Sequence, residues 1–436
     1  MALFGILMSV VISVCIFIST FSCAAADAPP EKAAKPVVII PAQAWLAETS
    51  ARLAPNESNL LARTQTILLG NIVRSEAWNS DRAIVPSTTT YRGIWNWDSA
   101  FHAIAVSNWD PLLAREQINI IFSRQLSNGA LPDVIWEHGG VVTNCTKPPV
   151  MAWAVAVIDH RWPDIGYLKT MYPKLIRLGD FWMNERGGKA DGLFYYAGAD
   201  IGYDSGWDDS VRWDDGYRTA KGNDHRLWAV DLNCYMVMHY RAMAYIAGRL
   251  QRIEEEKQWL EQANKLARRI NETLWDEKVH FYVDRDRLTG KAGPALSPAG
   301  FMPLFLHIAP LNRAELTAKI ACDTRKFFPG MPTAAYDTPG YNEHAMWRGN
   351  TWLNTSFFAL KGLHDYGDSE PADSMRTILL GWVTSDSSTI WERYDAQTGH
   401  GIGAKGFGWS AGFCMAFLLD WDNNHLTWLF PPVPKS

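Results

Sequence analysis

Cysteine and clustered positive charge are both scarce in this chain of 436 residues. Six cysteines occur, and those that follow residue 26 are too widely spaced for the C-x-x-C pattern of zinc or redox sites: Cys145, Cys234, Cys322 and Cys414. Their spacing leaves isolated thiols and disulfides equally open. Lys and Arg number 41 against 46 Asp and Glu and form no long basic block, which argues against a nucleic-acid partner.

Metal-ligand and cofactor-binding patterns are also missing. Glu137-His138 and Glu343-His344 are isolated pairs without the H-E-x-x-H spacing of a zinc site. The segment 401–406 fits G-x-G-x-x-G, but no predicted strand precedes it, so we predict a flexible loop rather than a dinucleotide site. We therefore predict no cofactor and no metal, with a structural calcium ion in the acidic stretch 187–222 as the alternative.

The N-terminus carries the long charge-free apolar run of this sequence. Leu3 to Phe21 are almost wholly apolar and small residues follow, which predicts a signal peptide over residues 1–26 and a linker over 27–41. We expect the protein to be exported, to the periplasm or the medium. Because no Lys or Arg precedes the run, a retained membrane anchor stays open, and Cys23 leaves a lipid anchor open.

Helical patterns fill most of residues 42–436, which we expect to form a single domain. Asp110-Pro111 is an N-cap followed by proline at the first helical position, and apolar residues at helical spacing recur to give about a dozen helices. Strand signals are sparse, and the clearest is a hairpin pairing 280–283 with 288–290. The chain is predicted to be all-α, and a dozen helices can close as six hairpins into an (α/α)6 barrel.

The long polar connections contain the residues with chemical potential. The stretches 187–222, 330–350 and 387–407 hold Trp, Tyr and paired acids rather than Ser and Gly filler, which favours function over disorder. The sequence has 21 tryptophans, more than its 18 phenylalanines. Tryptophan offers a flat apolar face and one N–H donor, which suits the C–H face and polar rim of a sugar ring, although a tryptophan-rich core would produce the same count.

Two carboxylates in aromatic surroundings, Asp208 and Glu392, predict glycoside hydrolysis. That reaction needs one carboxyl group that stays protonated and one that is ionised, placed on either side of the bond. Neighbouring apolar rings and like charges raise the pKa of the proton donor by disfavouring its anion. The alternative is that these acidic loops are ordinary solvated surface.

Four segments in the same order resemble a known group of enzymes. Ser205-Gly206-Trp207-Asp208 and Glu392-Arg393-Tyr394-Asp395 resemble the acid and base motifs of the clan that holds trehalases (family 37) and processing α-glucosidase-like enzymes (family 63). The segments 91–98 and 347–352 resemble the first sugar-binding segment of the clan and the Trp-Arg-Gly-x-x-Trp segment of family 63. The resemblance implies an (α/α)6 barrel, an inverting mechanism and an α-linked glucosyl unit, with Asp208 as general acid and Glu392 as general base.

Departures from the clan favour family 63 over trehalase. The trehalase signature Gln-Trp-Asp-x-Pro-x-Gly-Trp is absent, and Tyr341 to Trp347 occupy its place. Met346 stands where family 63 often has tyrosine, so the leaving group of the substrate is expected to differ. The chain resembles the minimal barrels of bacterial members, some of which act on small glucosides such as glucosylglycerate. A trehalase and a non-catalytic sugar-binding barrel remain the alternatives.

The same segments supply candidate substrate-binding residues. Sugar stacking and core packing are alternatives for the tryptophans, sugar binding and helix capping for Asp98, and substrate orientation and a structural ion pair for Arg348. The eight candidates are Tyr91, Trp95, Trp97, Asp98, Trp207, Trp347, Arg348 and Trp352. Asp209 is the alternative to Asp208 as the acid, and the motif favours Asp208.

Overall fold

Most of the chain folds into two concentric layers of helices. The computed structural model describes residues 40–79, 81–218, 226–367 and 369–434, which belong to the unit Val37–Ser436. The predicted signal peptide and nearly all of the predicted linker lie outside the described residues. The described α-helices are α1 (Ala42–Ser50), α2 (Pro55–Gly70), α3 (Asn96–Val106), α4 (Pro111–Phe122), α5 (Met151–Arg161), α6 (Ile165–Glu185), α7 (Gly188–Asp191), α8 (Ile201–Ser205), α9 (Val230–Arg249), α10 (Ile253–Thr273), α11 (Met302–Phe305), α12 (Leu311–Cys322), α13 (Leu353–Asp365), α14 (Ser369–Ser385) and α15 (Gly408–Leu419).

Six of these helices form a closed inner ring. In ring order they are α3, α5, α9, α11, α13 and α15, each in contact with the next, and α15 returns to α3. Helices α4, α6, α10 and α14 cover the ring from outside, and the N-terminal α2 packs on the C-terminal α15. The predicted (α/α)6 barrel is therefore confirmed, and the contact of α2 with α15 joins the two ends of the domain.

Burial patterns explain which helices lie inside. Every residue of α3 from Asn96 to Val106 is buried, whereas α10 buries only a stripe: Ala263, Leu266, Ala267 and Ile270. A helix that is buried on every side belongs to the inner layer, while an amphipathic helix covers the core with one face. The predicted cap is also present, because the Asp110 side chain accepts a hydrogen bond from the Leu113 N–H at 2.9 Å.

One aromatic side chain occupies the axis of the ring. Phe358 of α13 lies within 4.8–6.3 Å, between ring centroids, of an aromatic ring from every other inner helix. These partners are Phe101, Trp153, Tyr235, Phe305 and Phe413. The barrel interior is thus a packed core rather than a channel at this level.

Short strands connect the helices in the described part of the chain. They are β1 (Ile72–Arg74), β2 (Arg82–Ile84), β3 (Gly93–Trp95), β4 (Val134–Trp136), β5 (Val141–Val142), β6 (Leu227–Trp228), β7 (Trp275–Asp276), β8 (Phe281–Tyr282), β9 (Arg285–Asp286), β10 (Trp391–Tyr394) and β11 (Gly401–Lys405). All pairings between them are antiparallel.

Two sequence-based expectations about strands are wrong. The predicted hairpin of 280–283 with 288–290 does not form, because β8 pairs with β7 and β9 pairs with β6. The predicted flexible loop at 401–406 is instead mostly strand β11, which pairs with β10. Cys145, Cys234 and Cys414 are buried free thiols, so the structure favours isolated thiols for these three. Among the described helices, none combines the length and apolar character needed to cross a membrane.

Candidate active site

A cavity of about 580 Å³ opens where several inner helices begin. Its wall includes the first turn of α3, the residue that precedes α13 and the first turn of α15. The predicted site residues that line it are Tyr91, Trp95, Trp97, Asp98, Asp208, Trp347, Trp352 and Glu392. Segments that are far apart in sequence therefore contribute both candidate carboxyl groups to one cavity.

The Glu392 carboxylate is held by three donors. Its Oε1 accepts from the Tyr91 hydroxyl at 3.2 Å, its Oε2 accepts from the Ala404 N–H at 2.8 Å, and Arg393 Nη1 lies 3.3 Å from Oε2. Burial raises the pKa of Glu392 above its ordinary value of 4.5, while the Ala404 N–H, Arg393 and Tyr91 oppose the rise by stabilising the anion. The group is fixed in position with its negative charge supported.

A bulge in the β10–β11 hairpin creates this geometry. Trp391 pairs with Lys405 and Arg393 pairs with Ile402, so Glu392 faces two residues of β11 instead of one. One of these two, Gly403, has a φ of +86°, and a Cβ there would collide with Glu392 Oε2. Glycine at 403 lets the backbone turn the Ala404 N–H toward the carboxylate.

Asp208 lies just beyond the short helix α8 and is partly buried. Gly206, with a φ of +76°, ends α8 and packs against the Trp97 ring, where a Cβ would not fit. Arg218 donates to the Asp208 backbone carbonyl and, at 2.8 Å, to Asp200 Oδ2. Burial raises the pKa of Asp208 to about 7, against the opposing charge of Lys147.

Asp209 has a different environment from its neighbour. Its Oδ1 accepts from the Trp347 backbone N–H at 2.7 Å, and it does not line the cavity. Asp208 does line the cavity, so only Asp208 of this pair can reach a bound substrate. The geometry favours the same residue that the motif favours.

Lys147 and Asp133 are charged residues of the cavity that the sequence analysis did not single out. Lys147 is buried, lies 2.9 Å from Asp133 Oδ1 and donates to the Tyr203 carbonyl. Burial alone would lower the pKa of Lys147, but the carboxyl groups of Asp133 and Asp208 outweigh it and raise the pKa. Asp98 is buried next to this pair, and burial raises its pKa to about 8 against the opposing charge of Lys147.

Two predicted substrate-binding residues do not reach the cavity. The Trp207 side chain is fully buried, with its ring between the Arg212 guanidinium and the Trp347 ring. Arg348 forms a bidentate ion pair with Asp214 at 2.6 and 2.9 Å, which corresponds to the structural alternative stated above. Trp207 precedes the cavity residue Asp208 and Arg348 follows the cavity residue Trp347, but neither side chain lines the cavity.

The aromatic lining also contains residues that were not singled out by sequence. Trp136, Phe407 and Trp409 line the cavity. Trp95 and Trp136 are only half-buried and meet edge to face, with 5.0 Å between ring centroids. The chain has 21 tryptophans, and the sequence alone does not show which of them lie together. The pairing of β3 with β4 places Trp95 opposite Val134 and so brings Trp95 next to Trp136.

The chemistry available here is proton transfer between carboxyl groups and a bound polar molecule. One buried carboxyl has a pKa near neutrality, and a second is anchored by donors that support its charge. Within the described ranges, no cluster of three or more His, Cys, Asp or Glu side chains is arranged to hold a metal ion.

Known proteins of related sequence share this arrangement of elements. The mannosylglycerate hydrolase MGH1 of Selaginella moellendorffii is 23% identical over 77% of this chain and 82% of its own length. The solved structure of the GH63 mannosylglycerate hydrolase of Thermus thermophilus in complex with glucose is 24% identical, covers 82% of this chain and 99% of that one, and superposes with a TM-score of 0.69. A periplasmic trehalase of Escherichia coli O1:K1 is 28% identical, but over only 49% of this chain and 39% of its own length.

Trehalase similarity is therefore the more distant of the two, in agreement with the missing trehalase signature. The sequence profile of the mannosylglycerate hydrolase MGH1-like glycoside hydrolase domain matches residues 91–410, which include both candidate carboxylates and most of the barrel. This chain belongs to that family and is a glycoside hydrolase.

Proposed function

We propose that this protein is an inverting glycosidase that removes an α-linked glucosyl or mannosyl unit from a small aglycone, with Asp208 as general acid and Glu392 as general base. The observation that carries the proposal is that the two carboxyl groups line one cavity in contrasting environments. Burial raises the pKa of Asp208 to about 7. The anion of Glu392 is instead stabilised by contacts with Tyr91, Ala404 and Arg393.

The proposed reaction adds water across the glycosidic bond in one displacement. Asp208 donates its proton to the glycosidic oxygen as the bond from that oxygen to the anomeric carbon breaks. Glu392 accepts a proton from a water molecule whose oxygen attacks the anomeric carbon from the opposite face. The sugar is released with inverted configuration at the anomeric carbon. Asp208 is then ionised and Glu392 protonated, and proton exchange with solvent restores the starting charges.

Relatives and cavity size support a small substrate. The two relatives that match most of this chain are mannosylglycerate hydrolases, and the family 63 resemblance implies an α-glucosyl unit. A cavity of about 580 Å³ suits a ligand of disaccharide size rather than a long oligosaccharide. Asp98 and the half-buried Trp95 and Trp136 line the cavity and are positioned to contact the sugar.

A substrate panel with product analysis tests the proposal. The purified protein is offered mannosylglycerate, glucosylglycerate, trehalose and other α-glucosyl disaccharides, and proton NMR follows the first minutes of hydrolysis. We expect turnover of a small α-glycoside with the β-anomer as first product. Initial formation of the α-anomer would show retention and refute the assignment of acid and base. Preference for trehalose would identify a trehalase, and sugar binding without turnover of any glycoside would refute catalysis.

We also propose export, since the apolar run 3–21 and the small residues after it are typical of a signal peptide. Expression of the full chain in a bacterial host, followed by fractionation and mass determination, tests this. Recovery of a chain that begins near residue 27 outside the cytoplasm is the expected result. An uncleaved cytoplasmic chain would refute export.

A further inference from the structure

We propose that a stack of three tryptophans, capped at each end by an arginine, is a spacer that sets the distance between the two carboxyl groups. This tryptophan stack consists of Arg212, Trp207, Trp347, Trp352 and Arg393, in that order. The inference rests on the roles proposed above for Asp208 and Glu392. Its members are positioning residues, because they act through the two carboxyl groups rather than on the sugar.

The five side chains follow one another without a gap. The Arg212 guanidinium lies 4.7 Å from the Trp207 ring, and Trp207 stacks on Trp347 at 5.2 Å and 27°. Trp347 stacks on Trp352 at 4.0 Å and 7°, and the Arg393 guanidinium lies 5.8 Å from the Trp352 ring. Contacts of cations with aromatic faces and offset stacking of rings are both favourable.

One end of the stack is attached to the acid. Trp207 immediately precedes Asp208, and the next residue, Asp209, accepts from the Trp347 N–H at 2.7 Å. The terminal Arg212 is buried and forms bidentate ion pairs with two carboxylates. Its partners are Asp231, at 2.6 and 3.0 Å, and Asp284, at 2.7 and 3.1 Å. This end is therefore fixed to the barrel wall.

The other end is attached to the base. Arg393 follows Glu392 and lies 3.3 Å from its Oε2, while Arg393 Nε donates to Asn350 Oδ1 at 2.8 Å. Thr351, which precedes Trp352, exchanges two backbone hydrogen bonds with Tyr394 of β10, at 2.8 and 3.0 Å. A change in stack length would thus move the hairpin that carries Glu392 relative to the loop that carries Asp208.

Stacking and burial of Trp347 argue for a spacer and against a sugar platform. Trp347 stacks on both Trp207 and Trp352 and is only 2% exposed, so little of its ring surface is left for a sugar. Trp352 contacts Trp347 and Arg393 and is also only 2% exposed. An inverting site must keep its carboxyl groups ~6.5–9.5 Å apart to admit water, and a rigid stack maintains such a distance.

Kinetics of Trp347→Leu, Trp347→Phe and Trp182→Leu test the spacer, using whichever glycoside the wild-type protein hydrolyses. Trp182 is fully buried, lies outside the cavity and provides the matched control. We expect Trp347→Leu to lower kcat about 10²-fold with KM within about threefold, because misplacement by about 1 Å costs that much. Trp347→Phe, which keeps a stacking ring, should recover most of the rate, and Trp182→Leu should keep the wild-type kcat.

A second variant guards against a misfolded product. Trp207→Leu alters the stack at the end that lies outside the active-site cavity, so the same loss of kcat is expected there. Raised KM with unchanged kcat in Trp347→Leu would show that the ring binds sugar, and equal loss in Trp182→Leu would show general destabilisation; either result overturns the spacer. If the roles of the carboxyl groups are wrong instead, Asp208→Asn and Glu392→Gln retain activity, which separates that failure from this one.

Discussion

Asp208 and Asp209 are adjacent carboxyl groups that differ in what they contact. We expect Asp208→Asn to lower kcat on a glycoside with a poor leaving group about 10²–10⁴-fold, because it removes the proton donor. An aryl glycoside with a good leaving group should lose much less. Steady-state kinetics on both substrates measure the difference.

Asp209→Asn is the matched control for this change. An asparagine oxygen can still accept from the Trp347 N–H, so near wild-type activity is expected. The opposite pattern, in which Asp209→Asn is inactive and Asp208→Asn is active, would transfer the role of acid to Asp209.

The two carboxyl groups also predict a bell-shaped dependence of kcat/KM on pH. Asp208 must be protonated, so activity should fall as pH rises through its pKa of about 7. Glu392 must be ionised, so activity should fall again as pH drops toward its pKa, which burial raises above 4.5. An activated aryl glycoside should show a weaker alkaline decline, since it needs less protonation. A profile with no alkaline decline on the natural substrate would contradict the assignment.

Eight of the ten site residues predicted from the motifs line the cavity, but the motifs did not predict the direction of every side chain. Trp207 and Arg348 belong to the recognised segments, yet stacking and an ion pair turn them away from the cavity. Lys147 and Asp133 could not be predicted, because nothing in the local sequence indicates that they form a buried pair next to Asp98. Their contribution depends on segments brought together by the barrel.

Among the connecting elements, the bulge in the β10–β11 hairpin is the one that faces Glu392. Gly403→Ala should lower kcat about 10²-fold, because the new Cβ displaces the carboxylate and misplaces the base. Gly290→Ala is the control, since Gly290 has a φ of +70° with nothing within 4 Å of its Cβ position. Both variants should lose about 1–2 kcal/mol of stability from left-handed backbone strain, but only Gly403→Ala should lose activity. Kinetics and urea unfolding of both variants measure this, and equal activity in the two would contradict it.

Helices were predictable as elements, whereas short strands were not. Apolar residues at helical spacing identify most of the long helices directly, because each must bury a stripe or a whole surface. Strands of two or three residues, such as β7 and β8, carry too few residues to show alternation. The pairing of β6 with β9 joins segments more than fifty residues apart on either side of α9 and α10, and the local pattern does not contain such a contact.

At the scale of the whole barrel, Phe358 is the residue on which the inner ring converges. Phe358→Ala should lower the free energy of unfolding by about 3–5 kcal/mol, because it removes a ring that touches all five other inner helices. Leu288→Ala, at a side chain that is 58% exposed, should change it by less than about 0.5 kcal/mol. Urea denaturation of the two variants checks the contrast, and similar midpoints would contradict it.

Closure of the ring lies beyond what helix counting can establish. About a dozen helices are compatible with several packings, and the contact of α2 with α15 joins segments from opposite ends of the chain. The resemblance of four ordered segments supplied the barrel architecture, and the contacts of the inner helices show how this chain achieves it.

The contact between α2 and α15 also determines which segments the barrel needs before it can close. Helices α2 and α3 have apolar faces whose partner, α15, lies near the other end of the domain, so both ends must be available before these faces are buried. Ser410 of α15 donates to the Glu392 carbonyl at 3.0 Å, so α15 also supports the strand that carries the proposed base. A chain that stops before Gly408 would therefore leave the ring open and the apolar faces of α2 and α3 exposed.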